Sequence, residues 1–185
     1  MVDGRQRRKY GVSVRTRPRL LVLTLATASL ASAPLAPAAP ILSDFTFDLG
    51  ANASVADGKV PLSNGRWKDP AEGGSTFTLL PVHAIGDLDG DGVADAAVVL
   101  VEASTGTGTF VYLFAVKNYA EAPTQLGPPE WLGDRTIVER LSIDRKGILS
   151  VRFLTHKDSD PECCPTMRIN DRFRVENGKL VGLTK

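Results

Sequence analysis

Gly86-Asp87-Leu88-Asp89-Gly90-Asp91-Gly92-Val93-Ala94-Asp95, running on into Ala96-Ala97-Val98-Val99-Leu100-Val101, decides how this 185-residue chain is read. Four carboxylates, Asp87, Asp89, Asp91 and Asp95, stand two, two and four residues apart, with Gly92 directly after the third. Acidic side chains this close repel one another, and a hard divalent cation held by their oxygens removes the repulsion. Counted from Asp87 as position one, Asp89 and Asp91 fall at three and five and Gly92 at six, where a tight loop needs unusual backbone angles. Val93 at seven can offer its backbone carbonyl, and Asp95 stands at nine. This is the order of the first nine positions of an EF-hand loop. Asp-Gly pairs also form plain acidic turns, but the full spacing is far more specific than a lone pair. The stretch therefore reads as a calcium loop feeding a central β-strand.

Position twelve is Val98 rather than the bidentate Glu of an EF-hand, and neither flank has the pattern of an amphipathic helix. The stretch instead resembles the DxDxDG calcium loop of integrin-type FG-GAP repeats, in which a carboxylate at position nine closes the shell and a strand follows. That resemblance implies a ligand set of Asp87, Asp89, Asp91, the Val93 carbonyl and Asp95, with calcium as the cofactor. The loop occurs once, so the long repeat array of a propeller is not expected.

The N-terminus is of a different composition. Seven of the 22 Lys and Arg, but only Asp3 of the 21 Asp and Glu, lie in residues 1–38, which leaves residues 39–185 with 15 basic and 20 acidic groups and a net charge of −5. An apolar run from Leu20 to about Ala31 follows the basic segment and is short for a bilayer span, as in a signal-peptide core. Ala36-Pro37-Ala38 supplies small residues for cleavage, so residues 1–38 are expected to be a signal peptide, with no stable membrane span once it is removed. Arg7-Arg8 faintly resembles a twin-arginine signal, but Gly11 stands where a hydrophobic residue is expected, which favours the general secretory route. A secreted or periplasmic location follows, and the acidic balance of the remainder argues against a nucleic-acid partner.

Residues 39–58 read as a loose lead-in to a β-rich domain over 59–185. Asn52-Ala53-Ser54 fits a glycosylation tripeptide that is frequent by chance. Ser63-Asn64-Gly65 between two short strand-like runs is a hairpin signal, with Trp67 a packing residue. Thr76–Ile85, Asp95–Glu102 and Thr109–Val116 are strand-like, and the last two are apolar on both faces, as central strands are. The row Phe110, Tyr112 and Phe114 fits core filling better than a binding groove. Thr136–Ile143, Ile148–Thr155, Met167–Val175 and Leu180–Thr184 form a meander, with a turn at Asp144–Gly147 and a strong hairpin turn at Glu176–Lys179. One face of the third of these carries Arg168, Asn170, Arg172 and Arg174, which reads either as a solvated outer face or as an anion-binding surface. No amphipathic run of helical length occurs after the leader, so the expected fold is mainly β: an antiparallel twisted sheet or small open barrel forming a single domain.

Cys163 and Cys164 are the only cysteines and are adjacent, framed by Pro161 and Pro165. In an oxidising compartment they are open to a vicinal disulfide, an intermolecular disulfide or a buried thiol pair. Their adjacency is not the two-residue spacing of a redox motif, and with His156 they give too few ligands for zinc.

GDLDGDGVADAAVVL, GTFVYL, LGDR and DPECCPT occur in that order, and the succession resembles a set of uncharacterised exported bacterial proteins over roughly residues 50–185. The resemblance implies an extracytoplasmic single domain and brings no activity with it. Relatives of that kind are often lipoproteins, whereas this chain has no cysteine near the cleavage site. A β domain with one such loop is also distantly similar to certain periplasmic inhibitors of lysozyme. The expected function is a calcium-stabilised binding or structural module whose partner is a protein or cell-envelope ligand. The alternatives are an inhibitor of a lysozyme-like cell-wall hydrolase and a thiol/disulfide-active protein using Cys163 and Cys164. With His83 and His156 the only histidines and no GxSxG elbow, no catalytic constellation can be placed and the chain does not read as an enzyme.

Overall fold

The computed structural model describes residues 42–50, 55 and 57–183, all within the compact unit Leu35–Lys185. The expected signal peptide, most of the 39–41 and 51–56 stretches and the Asn52-Ala53-Ser54 tripeptide lie outside the described residues. The fold is mainly β and antiparallel, as expected, and neither large sheet closes into a barrel. Among the described residues the one helical element is a 3-10 turn, Leu42–Asp44, and no helix is long and apolar enough to cross a membrane.

Three layers make up this unit. A two-stranded ribbon pairs β1 (Thr46–Asp48) with β2 (Lys59–Pro61). The main sheet orders β3 (Arg66–Lys68), β4 (Thr76–Gly86), β5 (Asp95–Ala103), β6 (Thr109–Lys117) and β7 (Thr124–Gln125), with β8 (Glu130–Asp134) also pairing with β6. A meander of β9 (Ile137–Ile143), β10 (Leu149–Thr155), β11 (Met167–Glu176) and β12 (Lys179–Gly182) forms the third layer.

β5 and β6 are apolar on both faces because both faces are covered. Ala97, Val99, Val111, Leu113 and Ala115 pack towards Leu149, Val151, Phe153, Phe173 and Leu180 of the meander. The opposite face, with Val98, Leu100, Phe114 and Val116, packs against Leu42, Phe47, Val60 and Leu62 of the ribbon layer. Of the expected aromatic row, Phe114 is buried against Phe47 with ring centroids 4.7 Å apart, and Tyr112 donates its hydroxyl to Glu102 at 3.0 Å.

Two local expectations differ from the structure. The Asn64-Gly65 turn forms, with both residues at positive φ, but β2 and β3 share only a Ser63–Arg66 bridge and then part. β2 pairs back with β1 and β3 with the edge of β4, so the turn passes the chain between layers instead of closing a hairpin. Within the stretch that reads as loose, β1 and the 3-10 turn are ordered elements: Phe47 is wholly buried and Leu42 nearly so. Three-residue strands carry too little alternation to be seen from composition.

A candidate cation-binding loop

The acidic loop joins the end of β4 to the start of β5, two neighbouring strands in register from Gly86–Asp95 onward. Three contacts fix it from beneath. Leu88 is buried in the core between the two large sheets. Gly86 lies so close to β9 that a Cβ there would stand 2.7 Å from Ile143 Cγ2. Gly147, in the β9–β10 turn and at φ +73°, presses its backbone onto the loop, where a Cβ would meet the Leu88 and Asp87 carbonyl oxygens at 2.9 and 3.1 Å. The meander turn thus buttresses the floor of the loop.

Above that floor the carboxylates fold the backbone around themselves. Asp87 accepts the Gly90 and Gly92 amides at 2.7 and 2.9 Å, and both glycines take positive φ. Asp89 accepts the Asp91 amide at 3.2 Å, and Asp91 accepts that of Val93 at 2.8 Å. Asp95 is completely buried; it accepts the Leu88 amide at 2.8 Å and the Asn118 amide at 3.0 Å, tying both ends of the loop to the β6–β7 connection. One oxygen each of Asp87, Asp89 and Asp95 lies within 4.8 Å of the others, a group that can hold a metal ion. Calcium–oxygen distances of about 2.3–2.6 Å let one ion span such a separation. The donors are all carboxylate oxygens, each with lone pairs beyond the amide it accepts, which suits a hard cation.

Of the five residues that sequence reasoning assigns to the metal, Asp87, Asp89 and Asp95 converge in this way. Asp91 is not in the converging group. It turns one oxygen to Lys117, the last residue of β6, whose ammonium stands 2.7 Å from Asp91 and 2.5 Å from Asp89. The hydrogen bond from Lys117 holds the Asp91 carboxyl below its ordinary value, and the two carboxylates push the Lys117 ammonium above its own. Val93 is exposed and gives its amide to Asp91. Lys117 was invisible to spacing arguments because it arrives through the pairing of β5 with β6. Next to it, the buried side-chain oxygen of Asn118 has no hydrogen-bond partner.

The second sequence-flagged pair is covalently joined: Cys163 and Cys164 form a vicinal disulfide. Both are exposed, in a loop closed by Asp160, which accepts the Lys157 amide at 3.0 Å and the Thr166 amide at 2.8 Å, together with the Thr166 hydroxyl. These bonds hold the Asp160 carboxyl below its usual range, the Lys157 amide contributing most. Cys164 gives its amide to the Pro161 carbonyl at 3.0 Å, and His156 Nε2 lies 3.1 Å from the Glu162 carbonyl. His83, on β4, has Nδ1 2.8 Å from the Pro81 carbonyl.

A third polar centre had no sequence signal. Glu102, at the end of β5, is fully buried and accepts the Ser75 hydroxyl at 2.7 Å and the Tyr112 hydroxyl at 3.0 Å. Burial and the Glu102 charge push the Tyr112 phenol well above its ordinary value, so it stays a donor. The network lies among the apolar side chains beneath the ribbon layer, where its hydrogen bonds satisfy the buried carboxylate.

No protein family, curated protein or solved structure matches the chain.

Proposed function

We propose that the chain is an exported, calcium-stabilised β domain that serves as a binding or structural module outside the cytoplasm. The observation that carries the reading is the convergence of Asp87, Asp89 and Asp95 oxygens within 4.8 Å on a loop seated against the core. Asp91 and the Val93 carbonyl complete the ligand set in this reading. Calcium is favoured over magnesium because the donors are many, anionic and set on a glycine-bearing loop, whereas magnesium demands a tight octahedral shell. A cation bound to the folded state alone stabilises it by mass action. The test is a thermal melt of the protein in calcium and in chelator. A higher melting temperature in calcium is expected, with the increment largely lost in Asp87→Ala. Equal melting in both conditions would overturn the reading.

A second reading has its own observation. The Pro161–Cys164 loop is exposed, is stiffened by the disulfide and by Asp160, and presents Glu162 with 85% of its side chain accessible, 3.6 Å from the Arg135 guanidinium. An acidic, rigid loop suits the cleft of a basic lysozyme-like hydrolase. Adding the protein to a lysozyme assay separates the two readings: undiminished turnover at a molar excess of protein removes this one.

A further inference from the structure

The meander turns Leu149, Val151 and Phe153 towards the core, so the alternate residues of β10 and their cross-strand partners face outward. That outward face is a ladder of arginines. Arg152 stands directly opposite Arg140 on β9, and Arg172 on β11 stands opposite Ser150. Arg168 and Arg174 continue the β11 row on either side, and Lys179 follows on β12. Among the described residues three carboxylates lie beside these six cations. Glu139, in the β9 bulge, takes a two-pronged hydrogen bond from Arg168, at 2.9 and 3.2 Å, and the Arg152 Nε at 2.9 Å. Glu176 pairs with Arg174, and Asp144 feels the charge of Arg172. Among the described residues six cations thus stand beside three carboxylates on this face, in a segment, residues 39–185, whose own net charge is −5. Arg140 has no ion-pair partner among the described residues, and it faces Arg152, whose charge is already shared with Glu139, across the strand.

We propose that this face binds a linear acidic polysaccharide, with Arg140 as the anchor for one carboxylate and the already engaged Arg152 and Arg172 sharing its other carboxylates with their present partners. The face already shows the required geometry, since Arg168 grips the Glu139 carboxylate with both arms of its fork. Neutral hydrogen-bonding groups that suit sugar hydroxyls, Asn170, Ser142 and Ser150, stand between the arginines. Alternate residues along a strand repeat about every 6.8 Å, so an extended chain can meet successive guanidinium groups. None of the outward residues of these four strands is aromatic, so the face has no platform on which nucleobases could stack. The proposal concerns a surface separate from the acidic loop and stands whether or not that loop takes a cation.

Hyaluronate, which carries one carboxylate per disaccharide, is the probe. Calorimetric titration compares the full chain with Arg140→Gln/Arg172→Gln and with Arg66→Gln/Lys68→Gln, which removes the same charge from exposed positions on β3. The basic residues of 1–38 are common to all three proteins. The expected result is about a tenfold or greater rise in Kd for the face variant, little change for the β3 variant, and weakening of wild-type binding by added salt. If the double variant melts early, Arg140→Gln alone carries the comparison, because Arg140 has no ion pair to lose. Absence of wild-type binding, equal loss in both variants, or tighter binding of duplex DNA, polyphosphate or phosphatidylglycerol vesicles than of hyaluronate would each overturn the proposal.

Discussion

Asp95 and Lys117 show what single residues contribute to the loop. Asp95 is wholly buried and spends both oxygens on backbone amides, those of Leu88 and Asn118, so it closes the loop before any cation is considered. Replacing it with Ala strands two amides, each costing about 1–3 kcal/mol when left unpaired in the interior. Asp95→Ala is therefore expected to lose about 2–4 kcal/mol in urea unfolding even with chelator present. A loss seen only in calcium would mean that Asp95 acts through the ion alone. Lys117 behaves in the opposite sense: its ammonium already neutralises Asp89 and Asp91, and it competes with any second cation there. Lys117→Gln is expected to melt below wild type in chelator, because the two carboxylates then face each other unscreened. In calcium it should gain more than wild type does, so that the gap narrows or reverses. Equal calcium increments in the two proteins would show that the ammonium and the ion do not compete. The aspartate spacing was legible because its residues are neighbours in sequence. Lys117 was not, since only strand pairing brings it there.

At the level of elements, what the sequence made legible tracks how much of a strand's environment is written in its own residues. β5 reads as central because Ala96 to Leu100 are all buried and all apolar, whichever face they present. The meander reads correctly because its strands alternate and its turns carry Asn177-Gly178 and Gly147 at positive φ. The ribbon of β1 and β2 escapes, because strands of three residues show no period and their partners lie in another layer. Its importance is nonetheless testable. Phe47 is fully buried, packs on Phe114 and on Phe45, and joins the second core. Phe47→Ala is expected to cost about 3–5 kcal/mol, the usual price of removing a buried aromatic ring. A loss below about 1 kcal/mol in chemical denaturation would mean that the ribbon is an appendage and that β5 and β6 are stable with one face open. Gly86 and Gly147 belong to this scale too, since their missing side chains let the meander lie against the base of the loop.

Across the whole molecule, charge is unevenly placed, and its response to acid follows from where the carboxylates are held. Hydrogen bonds and ion pairs depress several of them: Glu139 chiefly through Arg168, Asp144 chiefly through the Ile148 amide, Asp160 chiefly through the Lys157 amide, and Asp48 chiefly through Lys59. A group depressed in the folded state binds its proton more readily when unfolded, so its stabilisation is complete above the unfolded value and is lost as pH falls through the folded one. With unfolded values of about 3.9 for Asp and 4.3 for Glu, the loss begins near pH 5 and deepens below pH 4. Glu130 acts in the opposite direction, because burial raises its carboxyl and protonation at low pH relieves that strain. One raised group does not offset six depressed ones, Asp44 and Asp91 among them, so the melting temperature is expected to be level near neutrality and to fall steadily between about pH 5 and pH 3. Glu139→Gln should flatten part of that slope by removing one of the linked groups, since neutral Gln has no proton to gain. The differential effect is cleanest in chelator, because cation binding to the loop carboxylates adds a pH dependence of its own. A melting temperature that holds or rises on acidification to pH 3 would show that these ion pairs and capped turns are not coupled to folding, and that the layers are held by their apolar faces alone.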